Sequence, residues 1–249
     1  MAHVSFKNPP IIEAVAALRF HGSESWTPED HRLLERALRP LYAGEARQEQ
    51  EVQVHANFKD GDATAAAKTA AGRLLMPSAD NSALVGLGQR LLSVHALKPY
   101  PGWAAFEDRI KDAVSVVLEN VNVDGLLEVA VRYIDRIGLP AEEITDLSSY
   151  FVSIPARPQS MPRTMTAFQC ITEAFDADTG TLAALTTAAI PPREDEGFAL
   201  LYDLNLVRRY PPDGALPAAD YLDVVNALHH RQYEIFMESV TDKTRELFA

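Results

Sequence analysis

The chain has 249 residues, of which 47% are apolar and 23% charged, and its formal net charge is −12. This balance is typical of a folded globular protein and excludes wholesale disorder, and the chain is long enough to bury a large core. The negative charge opposes nonspecific binding to nucleic acid or to an anionic membrane, so we expect neither as a partner.

The first half begins with a stiff lead-in, because Pro9 and Pro10 fix their own φ and bias the preceding residues toward extended backbone. Ile11 to Phe20 then predicts a strand. Thr27-Pro28-Glu29-Asp30 predicts a helix start, with a hydroxyl N-cap, a proline in the first turn and acids near the positive end of the helix dipole. The remaining predicted elements are strands at Val52 to Phe58, Arg73 to Met76 and Leu84 to Leu97, a turn at Asp60-Gly61-Asp62, and a helix from about Trp103.

After Asp124-Gly125 the same order of elements begins again. A strand from Leu127 to Tyr133 precedes a short helix near Glu142 to Phe151 and a proline-rich linker. The following predicted elements are a hairpin of Met165 to Phe175 and Thr181 to Ile190, a strand at Phe198 to Val207, and a long helix carrying Tyr221, Val225, Leu228, Gln232 and Ile235 at helical spacing.

Short sequence echoes favour a duplication. Lys98-Pro99-Tyr100-Pro101 is similar to Arg208-Arg209-Tyr210-Pro211, and each segment precedes a long helix. We predict an α+β fold of two tandem β-α-β-β-β-α repeats, residues 1–124 and 125–249, packed as one unit. We expect their largely antiparallel sheets, covered by long helices, either to form a saddle or to enclose a cavity as helix-grip proteins do.

Cys170 is the single cysteine, so no disulfide can form within the chain, which fits a reducing compartment. The N terminus lacks a basic segment followed by an apolar run, and no stretch is apolar enough over its length to span a bilayer. We therefore expect a cytoplasmic protein.

The N-terminal run Phe6-Lys7-Asn8-Pro9-Pro10-Ile11-Ile12-Glu13-Ala14-Val15 resembles a sporadically distributed bacterial family of unknown function with an F-x-N-P-P-I-x-E-A-V motif. Lys98 to Phe106, Arg132 to Arg136 and Thr241 to Phe248 agree with the same family. The resemblance implies an accessory, defence or biosynthetic system with a partner encoded nearby, and it supplies no catalytic residue. Asp135 departs from the family, which commonly has Asn at this position.

Motifs for metal, nucleotide and nucleophilic chemistry are missing from the sequence. None of the seven histidines forms a His-Glu-x-x-His pair, and there is no cysteine cluster. Gly86-Leu87-Gly88 lacks the third glycine of a dinucleotide site, and no Gly-x-Ser-x-Gly elbow occurs. We predict no metal site and no cofactor.

Polar residues at the predicted strand ends form the candidate site. They combine basic groups with tyrosines, which suit recognition of a carboxylate, a phosphate or a protein partner. If the repeats pack pseudo-symmetrically, we expect them to gather near one surface. These residues are Lys98, Tyr100, Arg132, Asp135, Arg136, Arg208, Arg209 and Tyr210. In the alternative interpretation they pair with acids such as Glu13, Glu128 and Asp203 and lock the sheet edges.

We predict a non-catalytic binding protein that holds a protein, a peptide or a small ligand at the surface between the repeats. The alternative is a cofactor-free enzyme with acid–base groups in a cavity, since such sites have no sequence motif. Its candidate groups are His55, His95, Glu173 and Asp203. A saddle that binds nucleic acid is a third hypothesis, which the charge opposes. A homodimer stays open, because Phe236 and Phe248 lie off the main helix stripe and serve either an interface or the core.

Overall fold

The computed structural model describes residues 6–22, 24–49, 52–59, 62–69, 72–140, 147–152, 158, 160–162, 167–194 and 196–249, with backbone alone described over 52–59 and 62–69. Within these residues the chain is α+β, with four α-helices, one antiparallel sheet of nine strands and a second sheet of two strands.

The described part of the first half (residues 1–124) holds seven strands and two helices. The strands are β1 (Ile11–His21), β2 (Arg47–Glu49), β3 (Val52–Lys59), β4 (Asp62–Thr69), β5 (Arg73–Pro77), β6 (Ala83–Gly88) and β7 (Leu91–Leu97). The helices are α1 (Pro28–Leu38), which follows β1, and α2 (Trp103–Asn120), which follows β7.

The second half (residues 125–249) adds four strands and two helices among its described residues. The strands are β8 (Gly125–Leu139), β9 (Gln169–Asp176), β10 (Thr181–Ile190) and β11 (Phe198–Arg209), and the helices are α3 (Tyr221–Ser239) and α4 (Asp242–Glu246). In the described part of the chain, none of the helices combines the length and the hydropathy that a membrane span requires.

The large sheet has the strand order β2-β5-β6-β7-β1-β8-β11-β10-β9, and its neighbouring strands pair antiparallel. The first strands of the two halves, β1 and β8, pair with each other in the middle of the sheet. β7 lies beside β1, and β11 lies beside β8. In each half, therefore, the strand that leads to the long helix returns to the first strand of that half. β3 and β4 form the second sheet.

Alternation along β1 defines the two faces of the large sheet. Ala14, Ala16, Leu18 and Phe20 are buried, whereas the residues between them are partly or fully exposed. Because side chains alternate with a period of two along a strand, these four residues share one face. They belong to one apolar cluster with buried residues of α1, α2 and α3, so the helices cover this face and both halves share one core.

The start of α1 confirms the predicted N-cap. The Thr27 hydroxyl accepts a hydrogen bond from the backbone N–H of Asp30, and the Asp30 carboxylate accepts one from the backbone N–H of Thr27 at 2.7 Å. This reciprocal capping box satisfies two donors that the first turn leaves free. Leu34 and Leu38 then bury the apolar side of α1 against the core.

A buried amide fixes α3 against the centre of the sheet. The Gln232 Nε2 atom donates to the carbonyl oxygens of Val131 in β8 and Leu204 in β11, at 2.7 and 2.8 Å. A buried polar group is stable only when it is paired, so these bonds set both the position and the rotation of α3.

One predicted strand is wrong. Leu84 to Leu97 forms the hairpin β6–β7, and its two-residue turn is Gln89-Arg90. Arg90 has φ of 53°, the left-handed conformation that such turns require and that Gly or Asn usually supplies. Neither Gly nor Asn occupies the two turn positions, so their residue types did not indicate a turn.

Only the second part of the predicted helix near Glu142 to Phe151 is described, and it is shorter than predicted. Leu147–Ser149 forms a single 3-10 turn, and Phe151 makes an isolated bridge with Val240. The rest of that prediction, residues 142–146, lies outside the described residues, as do Asp60 and Gly61 of the predicted turn.

Candidate functional site

A cavity of about 450 Å³ lies on the helix side of the sheet, where the start of β1 meets the second half of β8. The segment before β1, the segment leading into α2, and α3 complete its wall. Most of its surface is aromatic or apolar. The lining residues are Phe6, Lys7, Pro9, Pro10, Ile11, Tyr100, Pro101, Gly102, Trp103, Tyr133, Asp135, Tyr202, His229, Gln232, Tyr233 and Phe236.

The extended lead-in before β1 forms one wall of the cavity. The backbone N–H of Asn8 donates to the carbonyl of Phe248 at 3.0 Å, which ties this segment to the C terminus. Phe6 meets the ring of Phe248 edge to face, with centroids 5.4 Å apart. Phe248 is 5% exposed and therefore belongs to the core of the chain. The two prolines that follow keep the backbone extended along the cavity.

The segment between β7 and α2 forms another part of the wall. The backbone N–H of Lys98 donates to the carbonyl of Ile12, so the end of β7 stays beside β1. The chain then turns through Gly102, whose φ of 90° favours glycine, into the first residue of α2, Trp103. This path brings Tyr100 and Trp103 to the cavity.

Asp135 is the buried acid of the cavity. It lies on β8 between Ile11 of β1 and Tyr202 of β11, and it is 3% exposed. No residue in the described part of the chain gives its Oδ1 atom a hydrogen bond. Burial, reinforced by the charge of Asp203, raises the pKa of Asp135 to about 8. The carboxyl is therefore largely neutral at pH 7 and ready to ionise when a cation approaches.

A chain of hydrogen bonds links the aromatic residues beside Asp135. The hydroxyl groups of Tyr100 and Tyr133 are 3.1 Å apart, and the Tyr133 hydroxyl lies 3.0 Å from Nδ1 of His229. The His229 ring stacks on the indole of Trp103, whose Nε1 donates to Asn226. Burial raises the pKa of Tyr100 to about 12 and holds the pKa of Tyr133 well above its usual value, so both phenols stay neutral.

The Tyr202 hydroxyl at the cavity is also paired. Tyr202 is buried and donates to the Ser239 hydroxyl at 3.0 Å, while that hydroxyl donates to the carbonyl of Ile235. The hydroxyls of Tyr100, Tyr133 and Tyr202 thus find partners within the protein. Among the described groups around the cavity, the Asp135 carboxyl is the one that retains a buried oxygen without a partner.

The structure brings only part of the predicted site together. Tyr100 and Asp135 line the cavity, and Lys98 lies just before it with an exposed side chain. Arg136 points to the other face of the sheet, where it forms an ion pair with Glu196.

Arg208, Arg209 and Tyr210 lie at the other end of the sheet. In the sheet Tyr202 pairs with Asp135, whereas Arg209 pairs with Glu128, which lies seven residues before Asp135 in β8. At about 3.4 Å per residue, that separation is about 24 Å. The expected gathering of the eight residues on one surface is therefore not what the structure has.

The face of the large sheet that the described helices leave uncovered, here the helix-free face, carries a row of paired charges. Arg132 forms two hydrogen bonds with Asp203, and Arg209 pairs with Glu128, as the alternative interpretation of these residues expected. His95 Nδ1 lies 2.7 Å from Glu13, and this hydrogen bond is the main reason that the pKa of Glu13 is lowered. These groups satisfy one another across β7, β1, β8 and β11.

Other candidate groups do not meet at the cavity. His95 and Asp203 lie on the helix-free face, Glu173 is exposed on β9, and the side chain of His55 lies outside the described residues. Among the described residues, no group of three or more His, Cys, Asp or Glu side chains could hold a metal ion.

Sequence reasoning missed most of the lining, including Phe6, Tyr202, His229 and Gln232. One signal was available, because three segments singled out in the sequence, Phe6 to Val15, Lys98 to Phe106 and Arg132 to Arg136, all reach the cavity. They contribute Phe6 to Ile11, Tyr100 to Trp103, and Tyr133 with Asp135.

Comparisons with known proteins add no family or relative. A scan against models of known protein families finds no match, and a search of curated proteins also finds none.

Proposed function

We propose that this chain is a non-catalytic binding protein whose cavity holds a small ligand or a single side chain of a partner peptide. One observation carries the proposal: Asp135 is buried, its Oδ1 has no partner among the described residues, and it lines an aromatic cavity of about 450 Å³. A buried carboxyl without a partner reduces the free energy of unfolding. A ligand that pairs with it would recover that loss, and the cavity volume lies in the range of small-molecule sites.

The strand order of the large sheet supports the idea of two tandem repeats. The strand order reads β5-β6-β7-β1 for one half and, in mirror order, β8-β11-β10-β9 for the other. Each half also contributes one long helix to the same face. In this proposal, residues 1–124 and 125–249 are diverged copies, and the ligand site lies where they meet. A cavity beneath two helices favours the helix-grip alternative over an open saddle.

The predicted biological setting belongs to the same proposal. A bacterial accessory, defence or biosynthetic system, acting in the cytoplasm with a partner encoded nearby, would fit a protein that binds without converting its ligand. Purification of the tagged protein with the products of neighbouring genes tests this setting. Recovery of a neighbouring product by wild type, and its loss when the cavity is filled, would support it. Recovery that is insensitive to filling would contradict a role for the cavity.

A cofactor-free enzyme is the second candidate, and the pKa of Asp135 favours it. A carboxyl that titrates near pH 8 exchanges its proton in the physiological range, as a general acid or base requires. The two candidates differ in the fate of the ligand, because an enzyme converts it and a binding protein returns it unchanged.

A ligand-observed NMR screen of a chemically mixed fragment set tests the proposal. The cavity is filled in the variant Ile11→Trp, and the matched control Ile134→Trp places the same bulk on the helix-free face. We expect some fragments to bind wild type and the control, to lose binding to Ile11→Trp, and to remain chemically unchanged overnight. Equal binding to both variants would refute the cavity as the site, and conversion of a fragment would favour the enzyme.

A further inference from the structure

The polar groups of the cavity differ in whether other groups of the protein satisfy their hydrogen bonds. The hydroxyls of Tyr100, Tyr133 and Tyr202 have partners within the protein, and Gln232 donates to two backbone carbonyls. The Asp135 carboxyl is left with an oxygen that accepts no hydrogen bond from the described residues. In the ionised carboxylate, a ligand that supplies a hydrogen-bond donor would satisfy this oxygen.

No cation of the protein neutralises this carboxyl among the described residues. The arginine next to it in sequence, Arg136, lies on the opposite face with Glu196, and Arg132 pairs with Asp203. Asp203 in turn adds negative potential at Asp135. Lys7 lines the cavity, but it is exposed, so water and salt screen its charge. The buried carboxyl is not screened in this way.

The walls around the carboxyl suit a positive charge. Aromatic rings present the negative faces of their π systems to cations, and this attraction stabilises an ammonium near such faces. The rings nearest to Asp135 in the sheet are those of Tyr133 and Tyr202, and Tyr100 and Trp103 line the same cavity from the segment that leads into α2. The chain's net charge of −12 also draws cations toward the molecule.

From this arrangement we infer that the cavity binds a compact organic cation, a protonated amine whose ammonium donates to Asp135 and whose apolar part lies against the aromatic walls. The inference rests on the proposed binding function and specifies its ligand class. The other titratable groups that line the cavity with Asp135 are Lys7, Tyr100, Tyr133, Tyr202, His229 and Tyr233, and the charge of Asp203 acts on Asp135 from the opposite face of the sheet.

The inference predicts how binding depends on pH. A protonated amine pairs with the ionised carboxylate, so below the pKa of Asp135, about 8, the carboxyl must release its proton for the amine to bind. The affinity for an amine should then rise by up to about tenfold per pH unit as the pH approaches 8 and level off above it. A neutral ligand that accepts a hydrogen bond from the protonated acid would show the opposite trend.

The test uses three probes of matched size: benzylamine, benzyl alcohol and benzoate. Their dissociation constants are measured by calorimetry or NMR titration for wild type, for Asp135→Asn, and for the exposed control Asp213→Asn, at about pH 6 and about pH 8. We expect benzylamine to bind wild type and the control at least about tenfold more tightly than the other probes, and more tightly at the higher pH. Asp135→Asn, which has the same shape without the charge, should lose this preference and the pH dependence.

The outcomes separate this inference from the proposed function. If benzyl alcohol or benzoate binds in the cavity as tightly as benzylamine, or if Asp135→Asn keeps the preference for benzylamine, the ligand class is wrong although the cavity binds ligands. If no probe binds and the fragment screen with Ile11→Trp also finds no ligand, the proposed function itself fails. Circular dichroism and the midpoint of urea unfolding confirm that each variant is folded.

Discussion

The imidazole of His229 lies flat against the indole of Trp103, with ring centroids 3.7 Å apart and ring planes at 5° to each other. Trp103 begins the long helix of the first half, and His229 lies in the middle of the long helix of the second half. The contact therefore joins the two halves at the wall of the cavity. Nδ1 of the same imidazole meets the Tyr133 hydroxyl on β8, so His229 connects both helices to the sheet.

This position predicts a clear difference between two adjacent histidines. His229→Leu removes the stack on Trp103 and takes a hydrogen-bond partner from the buried Tyr133 hydroxyl, which should lower the free energy of unfolding by about 1 to 3 kcal/mol. His230→Leu changes an exposed side chain and should lower it by less than about 0.5 kcal/mol. Urea unfolding of both variants measures the difference, and equal losses would contradict the structural role of His229.

Asp135 makes stability depend on pH. Its pKa in the folded protein is about 8, above the ordinary value of 3.8 that it regains on unfolding, so the folded state holds the proton more tightly. The free energy of unfolding should therefore fall as pH rises between about 4 and 8, by at most about 1.4 kcal/mol per pH unit. Above about pH 8 this contribution is constant.

The variant Asp135→Asn isolates that effect, because the other titrating groups are the same in both proteins. Its advantage in stability over wild type should grow from pH 5 to about pH 8 and then level off. Urea unfolding of the two proteins across this range gives the difference directly. A difference that stays constant with pH would show that Asp135 does not carry a raised pKa.

The ion pair between Arg136 and Glu196 should hold the loop before β11 against β8. Both side chains are only 14% exposed, and Glu196 also accepts a hydrogen bond from the backbone N–H of Arg193. Glu196→Gln should therefore lower the free energy of unfolding by about 1 to 2 kcal/mol. The exposed neighbour Glu194 provides the control Glu194→Gln, for which we expect almost no change. Comparable losses in the two variants would argue against a structural role for the pair.

The pairing of β1 with β8 predicts that the halves fold together. Either half alone would expose a central strand edge and the face of a core that both halves share. We expect fragments 1–124 and 125–249 each to lack cooperative unfolding, and a mixture of the two to recover it. Calorimetry of the whole chain should show one transition. A fragment that unfolds cooperatively by itself would contradict this view of the core.

Local features of the fold were predictable because each depends on a few neighbouring residues. The strand from Ile11 to Phe20 and the N-cap at Thr27 both appear in the structure. The β6–β7 turn was not predictable, since Arg90 adopts a positive φ without the residue types that mark such turns. Its conformation depends on the strands that it joins.

The candidate site was predictable only in part, because strand direction decides where equivalent segments lie. β1 and β8 are antiparallel, and β7 and β11 run antiparallel to β1 and β8, respectively. The C-terminal ends of β7 and β11 therefore point in opposite directions along the strands. Tyr100 therefore reaches the cavity while Tyr210 lies far from it. His229 and Gln232 enter the site through the packing of α3, which no local pattern encodes.

The two tryptophans offer the most direct test of the central claim that the cavity is a ligand site. Trp103 lines the cavity, and Trp26 is buried beside Phe20 and outside the cavity lining. Their indole N–H signals in a ¹H–¹⁵N spectrum, assigned with Trp103→Phe, are followed while fragments from the screen are added. We predict a saturable shift of the Trp103 signal while the Trp26 signal stays in place. Fragments that bind without moving the Trp103 signal, or that move both signals equally, would contradict the claim.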